Sequence, residues 1–378
     1  MNIKYLYIFL IIIFSCNEID NVNISEPEYV KFNFNLENET KILSQNLDLS
    51  YFNDITIGVK NFSENNVTLI TASNVKTVEI SGSNIENLNS HKVILSPPGE
   101  GESPYANYIG LGQIIKTKTN KIYGLYHGEW HDGSVLPGGT PGFYASIGLI
   151  SSNDGISYNP SSEAVIPNYI SKEEGNGAGD GGYGEPSMLY SKDSSEIFVY
   201  YVDHNRNNRG VNICMGKFNV NNTEPDFNTF YFLNENKEFT SSIIKGKEVV
   251  YGEEGKSDAI FPHVTYNKTL DLYIMVYNLN AFNGNNCNLS QSGIYISYSK
   301  NGKDWTKLNG GQSFIGESKK LINDCSIPFN QNSSFSWHPS IIYTNNDQTK
   351  GYLLYSKASS LSYPGHQLVG SKFVIEIE

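Results

Sequence analysis

The sequence Tyr-Gly-Glu-Pro-Ser-Met-Leu-Tyr at residues 183–190 decides the fold, because variants of it occur elsewhere in the chain. Each copy has a proline, an apolar run, a short polar turn and a second run that ends in or near tyrosine. The other copies are Phe-Pro-His-Val-Thr-Tyr at 261–266, Trp-His-Pro-Ser-Ile-Ile-Tyr at 337–343 and a weaker one that begins with Ser-Pro-Tyr at 103–105. Since proline cannot donate to a sheet ladder, we expect it at the first residue of each strand.

A second repeated motif, S-x-[DN]-G-x-x-[YW], occurs at residues 152–158 and 299–305, each time after an apolar strand-like run. Asp-Gly and Asn-Gly pairs favour tight turns because both residues tolerate positive φ. Repeats that contain strand, hairpin and strand are typical of propeller blades. The long intervals between Pro186, Pro262 and Pro339 leave room for large loops.

The composition indicates an all-β protein. Twenty-six tyrosines and 19 phenylalanines favour strands, 34 glycines favour turns, and no window has a sustained helical period. A chain of this length fits a propeller that forms one domain. The net charge of −12 argues against nucleic acid and anionic membrane surfaces as partners, whereas neutral sugars are compatible with it.

The first 15 residues predict an export signal, because their apolar run is too short to span a bilayer comfortably. Cys16 follows this run directly, as in bacterial lipoproteins, in which the cysteine is lipidated. The alternative is an ordinary secretory signal with an incidental cysteine. Residues 16–28 are mostly polar and predict a tether. We therefore expect an exported protein, lipid-anchored in the cell envelope at the outer membrane or the periplasmic face, with no other membrane contact.

Residues 29–378 are predicted to form a five-bladed β-propeller. Residues 100–378 contain four clear blades, and residues 29–99 form either the closing blade or a small separate β-extension. The C-terminal strand, residues 372–377, is expected to lie beside part of the N-terminal block. Strands from both ends of the chain would then close the ring.

The remaining cysteines fall into two groups. Cys214 lies in a strand-like apolar context and is expected to be a buried small side chain. Cys287 and Cys325 lie in polar segments of an exported chain, where a disulfide between them could persist. Whether they pair or remain two free thiols stays open.

The acid-Pro-Ser sequence at 185–187, the aromatic strands after it and the two S-x-[DN]-G turns resemble the five-bladed β-propeller glycosidases. These include the arabinanase/β-xylosidase and invertase/levanase families, and the resemblance extends to bacterial exported proteins of less certain activity. It covers roughly residues 100–378. It implies that carboxylates at the openings of the innermost strands act on a glycosidic bond. This chain departs from those families in having glutamate at 185 and histidines at two other openings.

If each repeat is one blade, we expect the first residues of the innermost strands, and the loops that follow these blades' second strands, to line the mouth of the propeller. Cleavage of a glycosidic bond needs two carboxyl groups, and one of them must hold a proton. The predicted catalytic residues are Glu185 and Glu129 as the essential pair, with Asp258 as the third carboxylate. The predicted substrate-binding residues are His127, Trp130, His204, Arg209, His263, Trp337 and His338.

The sequence leaves two other functions open. One is a non-catalytic glycan-binding propeller at the cell surface, and the other is a scaffold for protein interactions. The spacing of His127, Glu129 and His131 is H-x-E-x-H in a β context, unlike the zinc motif H-E-x-x-H. We therefore expect no cofactor requirement, a structural cation at the propeller centre being compatible with the sequence. The expected partner is an oligo- or polysaccharide, and the expected state is a monomer.

Overall fold

The computed structural model describes residues 32–42, 47, 49, 53–99, 103–135, 141–175, 180–205, 211–252, 257–283, 286–288, 290–306, 319–322, 335–358 and 366–378. These residues are almost entirely β-structure, as predicted, apart from the short helical turns Ile85–Asn87 and Lys172–Gly175. Within these ranges, no helix has the length and apolar character required to cross a membrane. Residues 1–31, with Cys16, and Cys325 lie outside the described residues.

The strands are β1 (Phe32–Leu36), β2 (Thr40–Lys41), β3 (Gly58–Ser63), β4 (Asn66–Ser73), β5 (Lys76–Gly82), β6 (Leu88–Leu95), β7 (Tyr108–Lys116), β8 (Ile122–Val135), β9 (Pro141–Ser152), β10 (Asn159–Ile166), β11 (Asp180–Tyr190) and β12 (Glu196–Asp203). They continue with β13 (Asn212–Asn221), β14 (Glu224–Leu233), β15 (Phe239–Thr240), β16 (Glu248–Val250), β17 (Ser257–Asn267), β18 (Leu272–Asn283), β19 (Asn286–Cys287), β20 (Gly293–Ser299), β21 (Lys319–Ile322), β22 (Phe335–Tyr343), β23 (Lys350–Ala358) and β24 (Gln367–Ile377).

The strands group into antiparallel sheets that follow the chain order. Sheet I contains β3 to β6, sheet II β7 to β10, and sheet III β11 to β16. Sheet IV contains β17 to β21, and sheet V contains β22 to β24 with β1 and β2. Sheets II and III share hydrogen bonds through a short parallel pairing of 180–182 with 143–145, so they form one ten-stranded sheet.

The two ends of the described chain meet in sheet V. Strand β1 pairs antiparallel with β24 along its whole length, from Phe32 opposite Ile377 to Leu36 opposite Phe373. Phe34 is buried and its ring stacks on Phe373 with 4.6 Å between the centroids. The C-terminal strand therefore lies beside part of the N-terminal block, as the sequence led us to expect.

The five largest clusters of buried apolar side chains among the described residues lie between the sheets. Four of them join sheet I to II, II to III, III to IV and IV to V. The fifth joins sheet V to sheet I and packs Ile342, Leu354 and Leu368 against Ile57 and Leu69. Each sheet therefore packs on the next one and the last sheet packs on the first. Removal of this apolar surface from water is the main force that holds the sheets together.

The prediction that proline opens each strand was wrong. Pro186, Pro262 and Pro339 lie inside β11, β17 and β22, and Pro104 precedes β7. In the first three strands the pairing register shifts around the proline, which marks a β-bulge. A bulged residue is left out of the ladder, so a proline there removes no ladder hydrogen bond.

The S-x-[DN]-G turns form as predicted and share one hydrogen-bond pattern. Ser152 Oγ accepts the Gly155 amide at 2.9 Å, and Ser299 Oγ accepts the Gly302 amide at 2.9 Å. Asp154 Oδ1 accepts two further amides, and Asn301 Oδ1 does the same in the second turn. Both glycines have positive φ, of 67° and 75°. The turns lie at the ends of β9 and β20.

The described cysteine side chain behaves as expected. Cys214 is a free thiol, fully buried between sheets II and III. Residue 287 belongs to β19, but its side chain is outside the described part of the structure. The pairing of Cys287 with Cys325 therefore stays a prediction.

Candidate functional site

The same type of hydrogen bond joins neighbouring sheets at three of the contacts between them. It allows corresponding residues of the innermost strands to be identified. In each, the residue that follows the bulge proline accepts the amide hydrogen of a residue in the next sheet. The bonds are Val264 N to Ser187 Oγ at 2.9 Å, Ile341 N to His263 Nδ1 at 3.3 Å and Ile57 N to Ser340 Oγ at 2.8 Å. Ile57 of sheet I therefore corresponds to Val264 of sheet IV and Ile341 of sheet V.

This alignment identifies a residue that the sequence alone did not. Three residues before Ile57 is Asp54, which takes the place of Glu185, Phe261 and His338 in the other sheets. Those three residues precede their prolines and have positive φ, of 53°, 59° and 52°. This backbone conformation costs about 1–3 kcal/mol for a residue other than glycine. Residues that adopt it are concentrated at functional sites. The bulge redirects these side chains to one place.

Tyr108, the first residue of β7, lies at the centre of this group. Its hydroxyl donates to the main-chain carbonyl of Asp54, and its ring packs edge-on against His127 at 5.4 Å. Burial raises the pKa of Tyr108 well above its ordinary value, and the charges of Asp54, Glu129 and Glu185 raise it further. The charges of three carboxyl groups, from residues of sheets I, II and III, therefore act on one phenol.

Glu129 of β8 is held between two histidines. Its Oε1 lies 2.9 Å from His127 Nε2, and its Oε2 lies 2.7 Å from His131 Nε2. The Glu185 amide donates to His127 Nδ1 at 3.0 Å, so the proton of a neutral His127 is on Nε2 and points to Glu129. Burial alone would raise the pKa of Glu129, but the hydrogen bonds and charges of the two histidines outweigh it and lower the pKa to about 2. Glu129 is thus a fixed anion.

Asp54 has the opposite electrostatic character. Burial holds its pKa well above the ordinary value, and the negative charge of Glu129 raises it further. The nearby hydroxyl of Tyr108 opposes this shift of the Asp54 pKa without cancelling it. Two carboxyls in one site therefore differ in proton affinity, which is the arrangement that acid–base chemistry requires.

One side of the site is a wall of rings from sheets II and III. The Phe143 ring packs edge-on against His204 at 5.3 Å and against His127 at 6.3 Å. Gly184 lies between the two histidines. A Cβ at that position would lie 2.4 Å from His127 Nδ1 and 2.9 Å from His204 Nε2, so only glycine fits without movement of the rings.

The other side is a wall from sheets IV and V. The rings of Phe261 and His338 lie 3.9 Å apart between centroids, and Trp337 stacks on His366 at 4.9 Å. Burial lowers the pKa of His366 to about 4. Burial also holds the pKa of His338 well below its ordinary value, and the charges of His127 and His366 contribute. Both histidines are therefore neutral at pH 7.

The structure brings together six of the predicted site residues and places others apart. Those that meet at the site are Glu129, Glu185, His127, His204, His338 and Trp337. Asp54, Tyr108, His131, Phe143, Phe261 and His366 join them without having been predicted. Arg209 lies outside the described residues.

Asp258 lies at the seam between sheets III and IV, where its Oδ1 accepts the Val211 amide hydrogen at 2.8 Å. Among the described residues, the carboxyl groups that act on Tyr108 are Asp54, Glu129 and Glu185, and Asp258 is not one of them. The bond to Val211 fixes the position of Asp258, and its catalytic role stays a prediction.

Trp130 and His263 also have structural surroundings. Trp130 alternates with Glu129 along β8 and so points to the opposite face, where Lys172 Nζ lies 3.5 Å from its ring centroid. His263 is 3% exposed, with Nε2 3.1 Å from the Ile57 carbonyl and Nδ1 accepting the Ile341 amide. His263 follows its proline whereas His338 precedes one, so the two do not occupy equivalent positions.

The described residues contain no group of three or more histidine, cysteine, aspartate or glutamate side chains arranged to hold a metal ion. His127 and His131 both direct Nε2 to Glu129, so in this arrangement the H-x-E-x-H segment forms hydrogen bonds within itself.

No protein-family model matches the sequence, and no curated protein is significantly similar to it. Solved structures are similar over most of the chain. A thermostable family-43 glycoside hydrolase is 13% identical with a TM-score of 0.52, covering 87% of this chain and 96% of that one. An α-L-arabinofuranosidase from Lactobacillus brevis is 9% identical with a TM-score of 0.51, covering 84% and 90%. A Dyadobacter fermentans protein of unknown function is 12% identical with a TM-score of 0.50, covering 91% and 99%.

Likeness at these identities shows a shared fold. The fold is all-β and similar to that of β-propeller glycosidases. This agrees with the resemblance drawn from the strand openings and the S-x-[DN]-G turns.

Proposed function

We propose that this protein is a glycoside hydrolase that cleaves an O-glycosidic bond of an oligo- or polysaccharide at the mouth of a β-propeller. The observation that carries the proposal is that Asp54, Glu129 and Glu185 meet around Tyr108 and His127: the Tyr108 hydroxyl bonds to the Asp54 main chain, its ring packs on His127, and His127 bonds to the Glu129 carboxylate and to the Glu185 amide. Glycoside cleavage needs two carboxyl groups across the scissile bond, one of them protonated. The fold shared with glycosidases supports the same reaction.

Asp54 and Glu185 are the proposed catalytic pair, because they occupy equivalent positions in sheets I and III and the charges of both act on Tyr108. One carboxyl protonates the leaving oxygen while the other activates water or attacks the sugar. The raised pKa of Asp54 suits the proton donor. Glu129, whose two oxygens already accept hydrogen bonds, is the proposed fixed charge that keeps the pKa of Asp54 high.

The propeller is proposed to have five blades, formed by sheets I to V within residues 29–378. The five inter-sheet clusters and the pairing of β1 with β24 support closure by strands from both ends of the chain. Sheet I, at residues 58–95, would be a full blade of its own. Residues 32–36 would be the outer strand of the blade formed by sheet V.

Export is also part of the proposal and rests on sequence. Residues 1–15 would be removed, Cys16 lipidated and residues 16–28 left as a tether at the outer membrane or the periplasmic face. A monomer anchored in this way would meet soluble oligosaccharides and the ends of larger glycans.

A non-catalytic glycan-binding propeller is the second candidate. The rings of Phe261, Trp337 and His366 would serve a binder as well as an enzyme, because flat apolar faces suit sugar rings. The different proton affinities of Asp54 and Glu129 favour the enzyme, since binding alone requires no proton donor.

The test is hydrolysis of a panel of arabino-, xylo-, galacto- and host-type oligosaccharides by the wild type and by Glu185→Gln. Arabinosides are included because an α-L-arabinofuranosidase is among the similar structures. We expect cleavage by the wild type and a loss of more than about a hundredfold in the variant. Asp154→Asn is the matched control, because Asn301 fills the same role in the second turn. Binding without cleavage by the wild type would favour the glycan-binding protein.

A further inference from the structure

We infer that His127 is a positioning residue for Glu185: its ring nitrogen Nδ1 holds the Glu185 main chain and thereby sets the place of the Glu185 carboxyl. The inference rests on the proposed hydrolysis, in which Glu185 is one of the two catalytic residues. It gives His127 a task different from the sugar contact that the sequence led us to expect.

The Glu185 main chain depends on a side-chain partner because it lies in a β-bulge. The pairing of β11 with β12 shifts register between Gly184 and Ser187, so Glu185 lies within the shift. Its φ is 53°, a conformation that persists only where surrounding contacts hold it. One such contact is the hydrogen bond from the Glu185 amide to His127 Nδ1, at 3.0 Å. The direction in which the Glu185 side chain leaves the strand therefore depends on the position of this ring nitrogen.

Packing fixes the His127 ring itself. The residue is 4% exposed, and its ring packs edge-on against Tyr108 at 5.4 Å and against His204 at 6.2 Å between centroids. On the side of β11, the main chain of Gly184 is so close that a Cβ there would lie 2.4 Å from His127 Nδ1. These contacts hold the ring nitrogen in one place.

Glu129 determines which nitrogen of His127 carries the proton. Its Oε1 lies 2.9 Å from His127 Nε2, and Glu129 is a fixed anion, which can only accept a hydrogen bond. The proton of a neutral His127 therefore lies on Nε2, and Nδ1 is left as the acceptor for the Glu185 amide. The charge of the carboxylate polarises the imidazole and strengthens Nδ1 as an acceptor.

Glu129 is anchored in turn from its other side. Its Oε2 lies 2.7 Å from His131 Nε2, and its main-chain carbonyl accepts the Asn107 amide at 3.0 Å. The His131 amide donates to Asn107 Oδ1 at 2.9 Å. Since residues two apart in a strand point to the same face, the H-x-E-x-H spacing in β8 brings these three side chains together. They form one chain of hydrogen bonds that ends at the main chain of Glu185.

Two substitutions of His127 separate its two bonds. In His127→Asn the amide oxygen can take the place of Nδ1 and accept the Glu185 amide, whereas the longer side chain in His127→Gln reaches the place of Nε2 beside Glu129. Both variants are assayed at their own pH optimum on the oligosaccharide that the wild type cleaves best.

We expect kcat to fall about a hundredfold in His127→Gln and about tenfold or less in His127→Asn, because only the first loses the bond that places the carboxyl. KM should stay within about threefold of the wild-type value in both, since the displaced group acts in the transition state. The matched control is His91→Gln, at an exposed histidine of β6, which should match the wild type. Equal losses of kcat in the two folded His127 variants would overturn the inference but leave the proposed hydrolysis intact.

A double variant tests whether His127 acts through Glu185. If it does, His127→Gln should add less than about threefold to the loss of kcat that Glu185→Gln already causes, because the group that it positions is gone. Independent roles would instead multiply the two losses, and that result would overturn the inference.

Exchange of the Glu185 amide hydrogen with solvent reports the bond without reference to activity. We expect slow exchange in the wild type and in His127→Asn, and exchange at least about tenfold faster in His127→Gln. Equal exchange in the three proteins would overturn the inference, whether or not they are active. Failure of the wild type to cleave any oligosaccharide would contradict the proposed function, and the inference with it.

Discussion

His338 Nε2 lies 3.9 Å from Asp54 Oδ1, so equivalent positions of sheets V and I meet at the candidate site. Burial holds the pKa of His338 well below its ordinary value, so at neutral pH the contact is not an ion pair. His338 therefore places no positive charge beside Asp54 that would lower its pKa, and the pKa of Asp54 stays above its ordinary value. The contact joins the first and last sheets of the described chain, which also share a hydrophobic cluster.

Glu129→Gln should shift the pH dependence of activity. The negative charge of Glu129 raises the pKa of Asp54, so its removal lowers that pKa and Asp54 loses its proton at lower pH. We expect the alkaline limb of the kcat/KM profile to move down by about one pH unit. The profile of Glu86→Gln, a surface carboxyl paired with Lys372, should match the wild type. An unmoved alkaline limb in Glu129→Gln would contradict the assigned role.

Gly184→Ala should destabilise the protein and reduce its activity, because the new Cβ collides with the rings of His127 and His204. The expected loss in the free energy of unfolding is about 1–3 kcal/mol, measured by chemical denaturation. In a His127→Ala background the nearest obstacle is absent, so the same substitution should cost clearly less. Equal costs in the two backgrounds would show that the ring contact does not restrict this position.

Stability should fall as the pH drops from about 6.5 to about 4, in part because His263 is buried in the neutral form. Burial lowers its pKa from 6.5 to about 4 in the folded protein, so in this range the unfolded chain takes up a proton that the folded chain does not. The contribution of His263 over this range is about 3 kcal/mol. In His263→Ser, the equivalent of Ser187 and Ser340, the fall should be smaller by a corresponding amount. An identical pH dependence in the variant would contradict a neutral, buried His263.

Phe34→Ala tests how much the pairing of the N-terminal strand β1 with β24 contributes to stability. Phe34 is 3% exposed and packs on Phe373, so truncation should cost about 3–5 kcal/mol in the free energy of unfolding. Asn33→Ala, on the exposed face of the same strand, should change it by less than about 0.5 kcal/mol. Similar small effects of both substitutions would mean that β1 contributes little to the stability of the protein.

The repeats were sufficient to predict the strands, because proline, aromatic runs and Asn-Gly or Asp-Gly pairs act locally. Glu185 and His338 were found through the prolines that follow them, whereas at Pro262 the sequence pointed to His263 and not to Phe261. Asp54 has no such marker, since isoleucine follows it, and its equivalence depends on the bond from Ile57 to Ser340 of another sheet. That contact joins residues that are far apart in the sequence, so no local sequence pattern predicts it.

Two assignments that were based on spacing in the sequence differ from the arrangement in the structure. Trp130 was grouped with Glu129 because they are adjacent, yet adjacent strand residues point to opposite faces. His263 and His338 were paired because each flanks a proline, but the residue before the bulge points to the site and the one after it bonds to the next sheet. His366 lies beyond the last repeat and stacks on Trp337, a contact that no local sequence pattern predicts.

The most direct test compares the kcat/KM of Asp54→Asn, Glu185→Gln and Asp258→Asn with that of the wild type on the oligosaccharide that the wild type cleaves best. The structure leads us to expect a loss of more than about a hundredfold for the first two. Asp258→Asn should retain most of its activity, because an asparagine oxygen can still accept the Val211 amide. Nearly wild-type activity in a correctly folded Asp54→Asn would contradict the catalytic pair proposed for this protein.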